Sequence, residues 1–144
     1  MLNWNALHQN LEKAAIRHQL LVSRFNNFAK FVEEQVTHQT FHIKGISTSL
    51  QLEQGIFTTT FSGRTLYFVF SSTAEDTGTL IGNVKCHLKI GFSEREFIKI
   101  GEFTFTGSGQ TNLIEPEDNG PITIDSDLSS LYVVLHFIHE SLSQ

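Results

Sequence analysis

Apolar side chains recur at intervals of three and four through the first third of the chain. This spacing places them along one stripe of an α-helix, and a second line of small apolar residues widens the stripe. The main stripe consists of Trp4, Leu7, Leu11, Ala14, His18, Leu21, Phe25, Phe28 and Val32. The pattern predicts a helix over about residues 3–36 that packs across a sheet.

That helix is longer than a domain of this size is wide. At about 1.5 Å per residue it extends about 45 Å. We therefore expect one end to overhang, or the helix to break near His18 and Gln19. An overhanging apolar stripe would need a partner.

Beyond Thr37 the apolar period changes from three and four to two, which is typical of strands. The segments with this character are 41–43, 46–52, 57–61, 66–70, 84–90, 97–105 and 121–124. We expect β-bulges at Gly45 and Gly101, and a central position for 66–70, which is apolar on both faces and so covered on both. The small, polar residues 71–83 predict a surface loop, and 107–112 predict a turn.

The last part of the chain returns to helical spacing. Asp125 and Asp127 are candidate N-cap residues, and apolar positions recur at three and four from Leu128 to Leu142. The sequence thus predicts a single α+β domain over residues 1–144. Its antiparallel, meander-like twisted sheet has about five to six strands between residues 40 and 124, preceded by the long helix and followed by a helix over about 127–142.

Composition supports an ordered, intracellular protein. Charged residues make up 17% of the chain, below the ~25% of ordinary globular domains, and 13 residues are Phe. The only cysteine, Cys86, cannot form an intramolecular disulfide and suits a reducing compartment. With neither a signal-like start nor a run of ~18 apolar residues, we expect a cytoplasmic protein without membrane contact.

Acidic charge is concentrated near the C-terminus. The net charge is −5; residues 1–36 carry four basic and three acidic side chains, whereas the other 108 carry six and twelve. Such a balance argues against a nucleic-acid partner. The densest acidic cluster consists of Glu115, Glu117, Asp118, Asp125 and Asp127, without a base among them. It is either a solvated loop or a negative patch that meets a basic partner.

Histidine provides the candidates for metal binding. His136 and His139 lie three apart on the predicted last helix, and His38 and His42 form a second pair. A structural zinc site needs four ligands, and no spacing marks the others, so we expect no metal or cofactor. His18, on the apolar stripe, is expected to be a hydrogen-bonded interface histidine rather than a buried polar switch.

The sequence contains no convincing catalytic constellation. Cys86 and His87 are adjacent in a strand and face opposite sides, so they cannot form an activated pair. The motif at residues 107–109 lacks the lysine of a phosphate-binding loop, and His38-Gln39-Thr40 has no second copy. We expect that the protein is not an enzyme.

These observations favour a non-catalytic protein-binding module. The leading hypothesis is a bacterial immunity protein or antitoxin that neutralises a basic cytoplasmic toxin, such as a nuclease, through the acidic cluster. One alternative is a chaperone for a secreted effector, with a homodimer through the N-terminal helix. Another is an enzyme or small-ligand-binding domain with a pocket lined by Phe25, Phe28, Phe68 and Phe70.

Overall fold

The computed structural model describes residues 3–37, 44–91, 96–114, 120–125 and 127–144, with the side chains of 127–129 excepted. In chain order the elements are α1 (Trp4–Thr37), β1 (Ser47–Gln51), a 3₁₀ turn (Leu52–Gln54), β2 (Ile56–Phe61), β3 (Arg64–Ala74), β4 (Leu80–Lys89), β5 (Phe97–Phe105), β6 (Gln110–Ile114), β7 (Pro121–Thr123) and α2 (Asp127–Ser141). The architecture is α+β, as predicted.

The seven strands form one open antiparallel sheet in the order β1 to β7. Every strand pairs with its neighbour in the chain, which is the predicted meander, with one or two strands more than expected. The bulge at Gly101 is confirmed. Cys86 pairs with Gly101 and His87 pairs with Lys99, so that Ile100 is the extra residue.

Both helices pack on the same face of the sheet. Phe57 of β2 stacks on Phe68 of β3 with 4.6 Å between ring centroids, and Phe28 of α1 meets Phe57 edge-on at 5.3 Å. Phe137 of α2 contacts the ring of Phe68 and stacks on Phe103 of β5, 6.0 Å away in each case. One aromatic core therefore joins α1, α2 and strands β2, β3 and β5.

The predicted loop at 71–83 is wrong. β3 continues to Ala74 and β4 begins at Leu80, so the connection is only 75–79. Residues 71–74 of β3 pair with residues 80–83 of β4 through backbone hydrogen bonds. Small polar residues form such bonds as well as apolar residues do. This strand extension also lies beside α1, because the Nε of Arg17 donates a 3.3 Å hydrogen bond to the carbonyl oxygen of Leu80.

The predicted turn at 107–112 is only half right, because β6 starts at Gln110. The turn is short since Gly109 has a left-handed φ of 92°, and Thr106 donates its backbone N–H to the carbonyl of Gln110 at 2.9 Å.

The expected strand at 41–43 lies outside the described residues. Gly45 has a φ of 90° in the turn before β1.

α1 is one continuous helix of 34 residues, so the alternative of a break near His18 is wrong. Its buried side chains begin at Leu21 and end at Val36. At about 1.5 Å per residue, roughly 25 Å of helix precedes Leu21. The predicted overhang of one end is therefore confirmed. Neither α1 nor α2 combines the length and the apolar character that a membrane crossing requires.

Candidate protein-binding surfaces

The structure describes the acidic cluster only in part. Glu115, Glu117 and Asp118 lie outside the described residues. The residues before and after them are fixed, because Ile114, the last residue of β6, pairs with Pro121, the first of β7. The three carboxylates therefore belong to a connection whose two ends meet at the edge of the sheet. Asp127 is the first residue of α2, and its side chain is not among those described.

Asp125 has a partner inside the molecule. Its side chain is 9% exposed, and its Oδ2 accepts a 2.9 Å hydrogen bond from Nη1 of Arg24 on α1. The Nε of Arg24 donates to the carbonyl oxygen of Gly107 at 3.1 Å, so one guanidinium ties α1 to two segments of chain. A charged pair with this geometry is strong while both partners are present. Asp125 thus has a structural role, and its contact with an external partner stays a prediction.

The overhanging half of α1 exposes the side chains that continue the core stripe. Trp4 is 86% exposed and Leu11 is 62% exposed, and Leu7 between them is also exposed. These residues follow the same helical line as the buried Leu21 and Phe25. An apolar line that is buried along half of a helix and exposed along the other half is typical of a protein contact surface.

A groove of about 540 Å³ lies beside this exposed line. One wall is α1, which contributes Lys13, Ala14 and Arg17 to the lining; the other wall is residues 77–80, at the end of the β3–β4 connection and the start of β4. Sequence reasoning missed the groove. The spacing of Asn10, Lys13 and Arg17 marks one flank of the helix, but the second wall depends on the strand extension that was expected to be a loop.

His18, like Arg17 before it, lies where α1 meets the sheet. Its Nδ1 and the Oγ of Ser72 on β3 share a 2.6 Å hydrogen bond, and its ring lies 5.9 Å from that of Phe70. This confirms the predicted interface histidine. His136 stacks on Tyr132 at 6.4 Å along α2. Within the described ranges no three metal-binding side chains gather in one place.

The geometry around Cys86 does not activate its thiol. Cys86 is buried on the helix-covered face, and desolvation raises its pKa far above the ordinary value. His87 points to the opposite face, where burial, followed by the charges of Lys85 and Lys99, lowers its pKa. A neutral thiol and a histidine on the far face cannot act together on a substrate.

The aromatic residues proposed to line a ligand pocket belong mainly to the core. Phe25, Phe28 and Phe68 are fully buried. Phe25 stacks on the partly buried Phe70 at 5.2 Å, and these two rings border a cavity of about 230 Å³. His18 and Asn26 also line this cavity, and the buried Oδ1 of Asn26 has no hydrogen-bond partner among the described atoms.

Comparison with protein-family models, with curated proteins and with solved structures finds no match to this chain.

Proposed function

We propose that this chain is a non-catalytic, cytoplasmic protein-binding module of the immunity-protein or antitoxin type, which neutralises a basic toxin through its acidic cluster. The observation that supports the proposal most directly is the pairing of Ile114 with Pro121. This pairing joins the two ends of the connection that carries Glu115, Glu117 and Asp118 in the sequence. A cluster of charge of one sign attracts an oppositely charged partner and steers its approach.

An apolar side chain accompanies this charge. Ile114 is 62% exposed at the end of β6, next in the chain to Glu115. Interfaces commonly place an apolar contact inside a charged rim, since the apolar contact supplies affinity and the rim supplies specificity. We propose Ile114 as the apolar contact and Glu115, Glu117 and Asp118 as the rim. In the same proposal Asp125 and Asp127 extend the negative field.

The charge-reversal experiment leaves out the two acidic residues of the cluster that have a structural role in the described part of the chain. Asp125 is excluded because its loss would leave Arg24 without its carboxylate partner, and Asp127 is excluded because an acidic residue in the first turn favours the helix dipole of α2. The test protein therefore carries Glu115→Lys, Glu117→Lys and Asp118→Lys. A matched control carries Glu34→Lys, Glu53→Lys and Glu140→Lys, which are exposed positions that change the net charge equally.

The immobilised wild-type chain is used to capture proteins from a lysate of its source organism at about 0.15 M and 1 M salt. We expect to capture a basic protein that is retained at low salt and released at high salt. The test protein should retain it at least tenfold less than the control does. When the captured protein is expressed alone it should inhibit growth, and co-expression of this chain should relieve the inhibition. Equal retention by the two variants, or a captured protein without toxicity, would contradict the proposal.

The exposed stripe of α1 favours a second candidate, a chaperone for a secreted effector. Such a chaperone holds an apolar segment of its client, which an exposed line of Trp4, Leu7 and Leu11 could contact. The same capture experiment separates the two functions. A client of the chaperone would be a secreted protein retained at high salt, with no dependence on the three carboxylates.

A further inference from the structure

The exposed stripe of α1 has an asymmetry of size along its length. Trp4 and Leu7, near the start of the helix, are large, whereas Ala14 and the adjacent Ala15 are small. Two copies of the helix paired in parallel would set tryptophan against tryptophan and alanine against alanine. Two copies paired antiparallel would set large residues against small ones, which is the arrangement that fills space.

The groove lies where the antiparallel arrangement needs a receptor. When Leu7 of one copy lies opposite Leu11 of the other, Trp4 lies opposite Ala14. Ala14 is one of the residues that line the groove of about 540 Å³ between the flank of α1 and residues 77–80. An indole ring fits a groove of this size. Lys13 and Arg17 along the wall bring cations close to the ring face, a favourable arrangement.

The charges on the flanks of the stripe agree with this register. On one flank, the Nε2 of His8 lies 2.9 Å from the Oε1 of Glu12 in the same helix, and the antiparallel register brings both His8 and Glu12 of one copy within two residues of the level of His8 of the other. On the other flank, Lys13 lies near Ala6 of the second copy and Asn10 lies near Asn10. No two lysines, arginines or carboxylates of like charge face each other in this register, so charge repulsion between these groups does not oppose the two-fold pairing.

We propose that this chain forms a symmetric dimer in which the N-terminal halves of α1 pair antiparallel and Trp4 of each copy occupies the groove beside Ala14 of the other. The interface joins residues 4–14 of the two helices, about 16 Å of each at about 1.5 Å per residue, with two seated indole rings. This is at the small end of specific interfaces, so the dimer should dissociate at concentrations on the order of micromolar. The inference goes beyond the proposed toxin binding and does not rest on it.

The chain contains one tryptophan, so its fluorescence reports on Trp4 alone. Dilution of the purified chain from about 200 µM to about 0.2 µM, a range around a micromolar dissociation constant, is followed by light scattering and by emission wavelength. We expect the mass to fall from two chains to one. Over the same concentration range the emission should shift to longer wavelength as the indole leaves the groove. A monomer throughout, or a dimer whose emission does not change with dilution, would overturn the proposal.

Three substitutions locate the interface. Leu11→Lys places a charge in the centre of the stripe, and Ala14→Arg fills the groove; each should weaken dimerisation at least tenfold. Ile16→Lys is the control, because Ile16 is 72% exposed on the opposite side of α1. All three positions lie before the buried half of the helix, so circular dichroism should show an unchanged fold. Loss of the dimer in the control variant, or its persistence in Leu11→Lys, counts against the assignment.

Disulfide formation between engineered cysteines tests whether the two α1 helices pair antiparallel or parallel. Because Cys86 is buried, engineered cysteines on α1 react without its interference. A mixture of Leu7→Cys and Leu11→Cys proteins should form the mixed disulfide in preference to either symmetric one, since these positions face each other only in the antiparallel register. A preference for the two symmetric disulfides would establish a parallel pairing and refute the arrangement.

Discussion

His87 is held in a cationic environment on the sheet face that the helices leave open. Lys99 pairs with it across β4 and β5, and Lys85 lies two residues away on the same face. Burial of the ring, and then these two positive charges, lower its pKa below the ordinary value of 6.5. Lys99 is in turn ion-paired with Glu102, and its hydrogen bond to that carboxylate lowers the pKa of Glu102.

The lowered pKa of His87 predicts a pH dependence of stability. Between the folded pKa and 6.5 the unfolded chain binds more protons than the folded chain, so the free energy of unfolding falls as the pH decreases through this window. The ring is only half-buried, so solvent screening limits the effect to a few tenths of a kcal/mol. His87→Gln should remove this contribution in urea unfolding curves measured at several pH values.

NMR titration provides the direct measurement for this histidine. The midpoint for His87 should lie below 6.5, and Lys85→Met should raise it only part of the way, since burial is the larger cause. A midpoint at or above 6.5 in the wild-type chain would show that the lysines and burial do not act as described.

At the scale of elements, the position of β4 against β5 depends on a glycine. Gly82 pairs with Phe105, and a Cβ atom built on Gly82 would overlap the phenylalanine ring. Gly82→Ala should therefore force the ring out of the core and lower the free energy of unfolding by about 1–3 kcal/mol. Gly120→Ala is the control, because no atom of the described residues, its chain neighbours apart, lies within 4 Å of its added Cβ, and we expect a change within about 0.5 kcal/mol. Urea denaturation of both variants measures the difference, and equal stabilities would disprove the packing argument.

The elements that the sequence predicted best are those with strong periodicity. α1, β2, β5 and α2 were expected close to their observed bounds, and the central parts of β3 and β4 were expected, because the apolar positions repeat with the period of the element. The end of β3, the start of β4 and β6 were missed. Their residues are small or polar, and their pairing is set by neighbouring strands and by α1 rather than by a local pattern.

The same limit explains what could be predicted of the binding surfaces. The overhanging stripe followed from the length of α1 relative to a domain, and the acidic cluster followed from composition. The groove beside Ala14 did not, since one wall comes from residues 77–80 at the tip of a hairpin that polar residues build. Likewise, the pairing of Asp125 with Arg24 joins positions 101 residues apart, and no spacing rule connects them.

At the scale of the whole molecule, the stability of α1 should differ between its two halves. Residues 21–36 bury Leu21, Phe25 and Phe28 against the sheet, whereas residues 4–13 have no buried side chain. An isolated stretch of helix shorter than ~12–15 residues is marginal in water. In the monomer, amide hydrogens of the first stretch should exchange with solvent deuterium much faster than those of the second.

Dimerisation should slow hydrogen exchange in residues 4–13, so the difference in exchange rate between the two halves of α1 should shrink as the concentration rises. Hydrogen exchange followed by mass spectrometry at about 0.2 µM and at about 200 µM, below and above a micromolar dissociation constant, should show fast exchange in residues 4–13 only at the lower concentration. The Leu11→Lys variant should show fast exchange at both, because the charge prevents the pairing that protects the helix. Residues 21–36 serve as the internal reference and should be protected throughout. If residues 4–13 are equally protected at both concentrations, their helix is held by its own chain, and a second copy is not needed to stabilise it.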